Sequence, residues 1–303
     1  MQRRIMKNKL IKFAFHWDEC SLDEYSKIYA QFGGNTISNP TILNYVSTYY
    51  DVNTRYFIDR NECDGYDAAI ATWDNVIAGD KKIARKHGIN IPIAFDEIII
   101  PQKPNQKKLI LPFSTKILSA NHTGAVINAL TKLNSGREVC IVKPISGKSR
   151  QTLNRQLNQF LSKGGKIHSV NSVSTEYFLE IYSDLFFARR NKVAEIEQTS
   201  HFLSRVDNIL FGSYLSFNDE PCAAQFITKT EDATTVYLDY INSGRNMDLK
   251  EFSIGTICMW ENIKSAFAYA ESVNKKLRFC FGKPTHDYKD RFCIRQKLMR
   301  TVA

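Results

Sequence analysis

The stretch from Phe252 to Phe292 constrains this chain most. An amphipathic run, Phe252–Ala270, predicts a helix of about five turns. It leads into Leu277–Phe281, where Leu277, Phe279 and Phe281 alternate and so put one face of a strand into a core. Gly282 then opens a basic and aromatic loop, Lys283-Pro284-Thr285-His286-Asp287-Tyr288-Lys289-Asp290-Arg291-Phe292. A strand fixed between a helix and a glycine turn excludes an all-helical chain. It asks for a mixed sheet in the last third.

Upstream, the order of elements points the same way. Lys166–Val170 reads as a strand, Thr175–Ala188 and the segment near Ile196–Leu203 as helices. Ile209–Ser216, Cys222–Thr228 and Thr234–Asn242 read as three strands separated by polar turns. Before Pro144–Lys148 a looser α/β pattern runs the same way. Cys20–Phe32 and Thr41–Tyr49 are expected helices, the first stopped by Gly33-Gly34 and the second started by Asn39-Pro40. Arg55–Ile58 and Tyr66–Trp73 read as paired strands. Ile89–Ile100 and Lys108–Pro112 read as strands or extended segments, Gly124–Leu133 as a helix, Glu138–Val142 as a β-like run and Ser149–Leu161 as a basic helix. With 303 residues the chain suits two domains. The expected division is 1–147 and 148–303.

Composition limits the partners. A net charge of +10 favours phosphates, nucleic acid or anionic headgroups. Nine Lys and Arg between Lys275 and Arg300 face only Asp287 and Asp290, either as a phosphate-binding surface or as a solvated face. The seven cysteines have no Cys-x-x-Cys spacing, which suggests reduced thiols and no metal site. No apolar stretch reaches membrane-spanning length, and Lys12 and His16 break any signal-peptide core. A cytoplasmic chain is expected, and its charge also suits peripheral contact with the inner face of the inner membrane.

The pattern Ser253-Ile254-Gly255-Thr256, a long helix, Phe279-Cys280-Phe281-Gly282, and Tyr288-Lys289-Asp290-Arg291-Phe292 resembles the closing segment of the FemAB/FemX-like branch of the acetyltransferase (GNAT) superfamily. A second resemblance, to the macrophage-inducible Mig family, rests on Tyr29–Gly34, Gly65–Trp73, Ile77–Asp80 and the Tyr288–Phe292 block. The first implies an α/β (α+β) fold of tandem GNAT-like lobes, each a mixed, mostly antiparallel sheet flanked by helices. It also implies an acyl- or aminoacyl-transferase using acyl-CoA or aminoacyl-tRNA as a phosphate-bearing donor. The second implies a part in envelope defence against cationic antimicrobial peptides.

The resemblance distributes roles. Lys289, at the motif's lysine, is the candidate stabiliser of a carbonyl oxyanion or donor phosphate. Asp239, on the same strand face as Tyr237, is the candidate for binding an acceptor amine. Ser253, Gly255, Thr256, Tyr288 and Arg291 are the candidate donor-binding residues, at a helix start where backbone N–H groups attract phosphate. The usual GNAT signature Arg/Gln-x-x-Gly-x-Gly/Ala is absent. Ser253 therefore also fits a plain N-cap, and Lys289 also fits a surface charge paired with Asp287 or Asp290. His286 reads as an exposed loop histidine, Trp260 and Cys280 as core. Arg150, Arg155, Arg189, Arg190 and Lys192, on or beside the linking helices, read either as contacts for nucleic acid or anionic lipid or as solvated helix faces. The expectation for variants is that Lys289→Ala spares the fold while Tyr288→Ala costs stability. The alternative function is a non-catalytic DNA-binding regulator or a structural protein at the inner membrane. No helix, glycine turn and recognition helix supports DNA as a partner.

Overall fold

A computed structural model describes residues 15–60, 65–104, 108–134 and 136–302. Strand β1 (Trp17–Cys20) passes to helix α1 (Leu22–Phe32) at Ser21. The Ser21 hydroxyl accepts from the Glu24 N–H at 3.2 Å, and the Glu24 carboxylate accepts from the Ser21 N–H at 3.0 Å. That reciprocal pair satisfies two orphan donors of the first turn. Helix α2 (Pro40–Tyr49) starts where the Asn39 side chain accepts from the Thr41 N–H at 2.9 Å. Strands β2 (Thr54–Arg60), β3 (Tyr66–Trp73) and β4 (Val76–Ile77) follow, and β1-β2-β3-β4 is an antiparallel sheet. Short helix α3 (Lys81–Lys86) is capped by Asp80.

The chain then crosses to the second half without long elements, held by single β-bridges such as Ile98 with Leu118. Here the expected helix Gly124–Leu133 is absent. Gly124 adopts φ +79°, and Ala129–Leu130 forms a strand, β5, that pairs with Arg300–Thr301 at the chain's far end. A distant partner overrode the local pattern.

Strand β6 (Glu138–Val142), helix α4 (Gly147–Ser162), strand β7 (Gly165–Ser169), helices α5 (Thr175–Arg190) and α6 (Ile196–Leu203), and strands β8 (Ser213–Phe217), β9 (Glu220–Glu231) and β10 (Thr235–Arg245) come next. Helix α7 (Ile254–Ser272), strands β11 (Lys276–Cys280) and β12 (Cys293–Lys297) and the short β13 (Arg300–Thr301) close the chain. Seven strands form one sheet in the order β12-β6-β11-β10-β9-β8-β7. All its pairs are antiparallel except β10 with β11. This is the mixed, mostly antiparallel architecture expected. The expected division at residue 147 does not follow the sheets, since β6 precedes it and sits between β11 and β12.

Two cores cover the two faces of the large sheet. On one face Leu215, Ile227, Val236, Leu238 and Phe279 pack with α4 and α7 residues such as Leu157, Trp260 and Ile263. On the other, Phe226 and the α5 residues Phe178 and Leu185 share one continuous core with the first sheet, including Phe57, Ile70 and Trp73. Period-2 alternation divides β10 between the two, as Tyr237 and Asp239 point toward the first half of the chain while Val236 and Leu238 point away. The halves are also locked by Arg278, whose guanidinium binds the Glu97 carboxylate with both groups largely buried. It reaches Gln296 at 3.0 Å as well.

Candidate functional site

The parallel pair creates the site. β10 and β11 pair for five residues, Thr235–Asp239 against Lys276–Cys280. A bulge between Tyr240 and Asn242 then bends β10, which continues with β9 to Arg245. β11 cannot follow. Gly282, at φ +66°, turns the chain, and its carbonyl accepts from the Cys140 N–H on β6 at 2.8 Å. Past the point where the two strands part, a cavity of about 290 Å³ opens at the start of α7, lined by β9, the end of β10 and Tyr288, Arg291 and Phe292 of the loop after β11.

Gly244 allows the wall to close. A Cβ there would stand 2.4 Å from the Phe186 backbone nitrogen, so only glycine lets β10 approach α5 this closely. That approach brings Arg189, near the end of α5, onto the β10 backbone. Its guanidinium donates to the Ser243 carbonyl at 2.7 Å and to the Ser243 hydroxyl at 2.6 Å. The Tyr240 hydroxyl donates to the same Ser243 oxygen at 2.8 Å. Arg245 lies across the first turn of α7, where a Cβ on Gly255 would meet its guanidinium at 3.1 Å.

The cavity therefore collects three guanidiniums, from Arg189, Arg245 and Arg291, around the N-terminus of a 19-residue helix. No side chain caps that helix: Ser253 makes no capping bond. An uncapped helix start with convergent arginines is a strong setting for anionic oxygens, because partial positive charge and bidentate donors point the same way. Cys258, Met259 and Phe292 supply an apolar floor.

Of the five donor-binding candidates, Gly255, Thr256, Tyr288 and Arg291 line this cavity and Ser253 does not. Ser253 has φ −77° and ψ 59°, outside the extended geometry that turns a cap side chain onto the helix end. The sequence reading chose neither Arg189 nor Arg245 as a donor-binding residue. The available signal was a cation directly after Gly244, between a strand and a long helix.

Lys289 and Tyr288 exchange their expected environments. Lys289 is only 6% exposed, and its ammonium donates to the carbonyls of Phe281 and Lys283, each at 2.6 Å. It ties the loop back onto the end of β11, and does not pair with Asp287 or Asp290 as a surface charge would. Tyr288 is 42% exposed, stacked on His286, with its hydroxyl pushed up to about 12 by desolvation and by Tyr240. At neutral pH it is a donor.

Asp239 lines neither this cavity nor its neighbour. It is buried behind the wall, and desolvation together with Glu97 and Asp96 pushes its carboxyl up to about 7. The nine cations of Lys275–Arg300 do not form one patch either. Lys275 binds Glu231, Arg278 binds Glu97, Arg295 binds Asp290, and Lys289 is inside.

A bulged strand that parts from a parallel neighbour, with a helix start at the opening, places the protein in the GNAT-like fold class. The sequence matches the Mig-14 family model over residues 39–300, and the chain belongs to that family. No curated protein matches it. Among solved structures it is similar to FemX, with TM-score 0.55 and 8% identity over 95% of this chain and 97% of that one. It also matches L-PGS from Bacillus licheniformis at TM-score 0.46 and 14% identity, over 93% and 91% of the two chains. A tandem GNAT protein from the clavulanic acid biosynthesis pathway matches at TM-score 0.42 and 8% identity, over 94% and 97%. The FemX likeness establishes the fold. No helix among the described residues is long and apolar enough to cross a membrane.

Proposed function

We propose that this protein transfers an acyl or aminoacyl group from a phosphate-bearing donor, acyl-CoA or aminoacyl-tRNA, to an amine or hydroxyl acceptor. The observation that carries this reading is the cavity between β10 and the loop after β11, where Arg189, Arg245 and Arg291 surround the uncapped start of α7. Phosphates of the donor sit there, and the carbonyl to be attacked reaches the Tyr240 and Tyr288 end. The acceptor's lone pair forms the new C–N or C–O bond as the donor's C–S or C–O bond breaks. The acceptor proton leaves with the departing thiol or ribose hydroxyl. Tyr288, protonated at neutral pH, is placed to donate to the developing oxyanion. Lys289 acts one step removed, by fixing the loop that carries Tyr288 and Arg291. The biological setting is envelope defence against cationic antimicrobial peptides at the inner face of the inner membrane.

Calorimetric titration of acetyl-CoA and, separately, of aminoacyl-tRNA tests the reading. One of them should bind, and Arg245→Glu should weaken it at least about tenfold, the equivalent of about 1.4 kcal/mol. Failure of both donors to bind overturns the proposal, as does equal binding by the variant. In cells, Arg245→Glu should lose protection against a cationic peptide, and full protection would remove the defence role from this site.

A further inference from the structure

A second cavity, of about 260 Å³, adjoins the first. It shares Arg189, Tyr240 and Tyr288 with the first, so the two meet at the same pair of phenols. Both halves of the chain build it. Lys81 and Asp96 come from the first and are paired with each other at 2.8 Å. Asp96 closes against Gly282, where a Cβ would meet its carboxylate at 2.6 Å. Arg189, Arg190, Lys283 and Lys289 come from the second. None of these four pairs with a carboxylate among the described residues.

Lys289 makes this imbalance costly. Its ammonium is almost wholly out of water and meets only two carbonyl dipoles. A buried charge without a counter-charge is expensive, and an anion in the adjoining space offsets that cost. The exposed Arg190 and Lys283 extend the same field toward the cavity mouth. The volume admits a small headgroup and excludes a folded partner.

We infer that the second cavity binds the acceptor, and that the acceptor carries a phosphate group beside its nucleophilic amine or hydroxyl. The assignment as acceptor rests on the transfer reading, with the donor in the first cavity and the two sites joined at Tyr240 and Tyr288. The phosphate belongs either to a lipid headgroup or to a soluble phosphate compound.

Because the first cavity also attracts anions, the test uses Arg245→Glu protein as the parent, with Arg190→Glu and Lys283→Glu added to it. Both added changes are on exposed side chains and spare the core. The probes are inorganic pyrophosphate by calorimetry, and sedimentation with vesicles of pure phosphatidylcholine or of equal parts phosphatidylcholine and phosphatidylglycerol. The parent should bind pyrophosphate, the mixed vesicles or both, in a salt-sensitive manner, and the added changes should weaken binding at least about thirtyfold. Binding to mixed vesicles alone identifies a lipid acceptor, and to pyrophosphate alone a soluble one. The inference is overturned if the parent binds neither probe, or if the added changes leave binding as it was. It is also overturned if Arg190→Glu with Lys283→Glu, placed in the otherwise unaltered protein, abolishes donor binding. A protein that binds these anions but no donor keeps the anion site and loses the transfer reading.

Discussion

The four-stranded and seven-stranded sheets both contain a bulge, and the one beside the parallel pair lies at a cavity. In the four-stranded sheet the register shifts at Asp59/Arg60, at the end of an antiparallel pair, and β3 stays buried from Asp67 through Trp73. In the seven-stranded sheet the shift at Tyr240/Asn242 falls where the parallel partner ends. Around it, from Tyr240 to Ser243, β10 changes from buried to partly exposed. A bulge thus makes a site only when the neighbour cannot follow it. Antiparallel neighbours joined by a hairpin can adjust together, whereas β11 is held by α7 on one side and by the hydrogen bonds of Phe281 and Gly282 with Cys140 of β6 on the other.

Truncating one large aromatic in each sheet gives the strongest test of that contrast. Phe57→Ala and Phe279→Ala both remove a fully buried ring and should each cost about 4 kcal/mol in urea unfolding. Donor affinity should survive the first and fall with the second, because Phe279 supports β11 where the strands part. Equal effects on donor binding would erase the distinction between the sheets.

Lys289→Met should cost about 2 kcal/mol, since it strands two carbonyls that now accept charged hydrogen bonds. Tyr288→Ala, at a half-exposed ring, should cost under about 1 kcal/mol while lowering turnover. This ordering reverses the one expected from the sequence. If Lys289→Met unfolds at the same urea concentration as the parent, its ammonium is not the clamp described here.

Sequence reasoning succeeded where the cause was local. The Gly33-Gly34 stop of α1 and the Asn39-Pro40 start of α2 carry their structure within a few residues. It failed where the partner was remote. Ala129–Leu130 has apolar spacing that suits a helix, but the deciding neighbours are Arg300–Thr301. β6 was recognisable as a strand, and nothing near it indicated partners more than a hundred residues away. In the candidate site, the helix-start residues Gly255 and Thr256 and the loop residues Tyr288 and Arg291 were legible from a family pattern. Lys289 carried the right motif position, yet its burial depends on where the Phe281 and Lys283 carbonyls turn. Arg189 enters the cavity only because Gly244 lets α5 close on β10, which is a packing fact with no one-dimensional signature.

A further expected effect concerns pH. The Asp239 carboxyl is raised to about 7 when folded, against an ordinary value near 4 in the unfolded chain. Between those values the unfolded state binds fewer protons than the folded one. Asp239 therefore lowers stability progressively as pH rises from about 4 to about 7, and its contribution levels off above that. Asp239→Asn should flatten this part of the stability–pH curve. An unchanged curve would show that the carboxyl ionises normally.

Amide hydrogen exchange with and without a saturating donor tests the central claim most directly. With acetyl-CoA or aminoacyl-tRNA bound, protection should rise in Tyr240–Arg245 and in the first turn of α7, Ile254–Cys258, while β2 and β3 remain unchanged. Protection confined to the first sheet, or none with either donor, would contradict a donor site between β10 and the loop after β11.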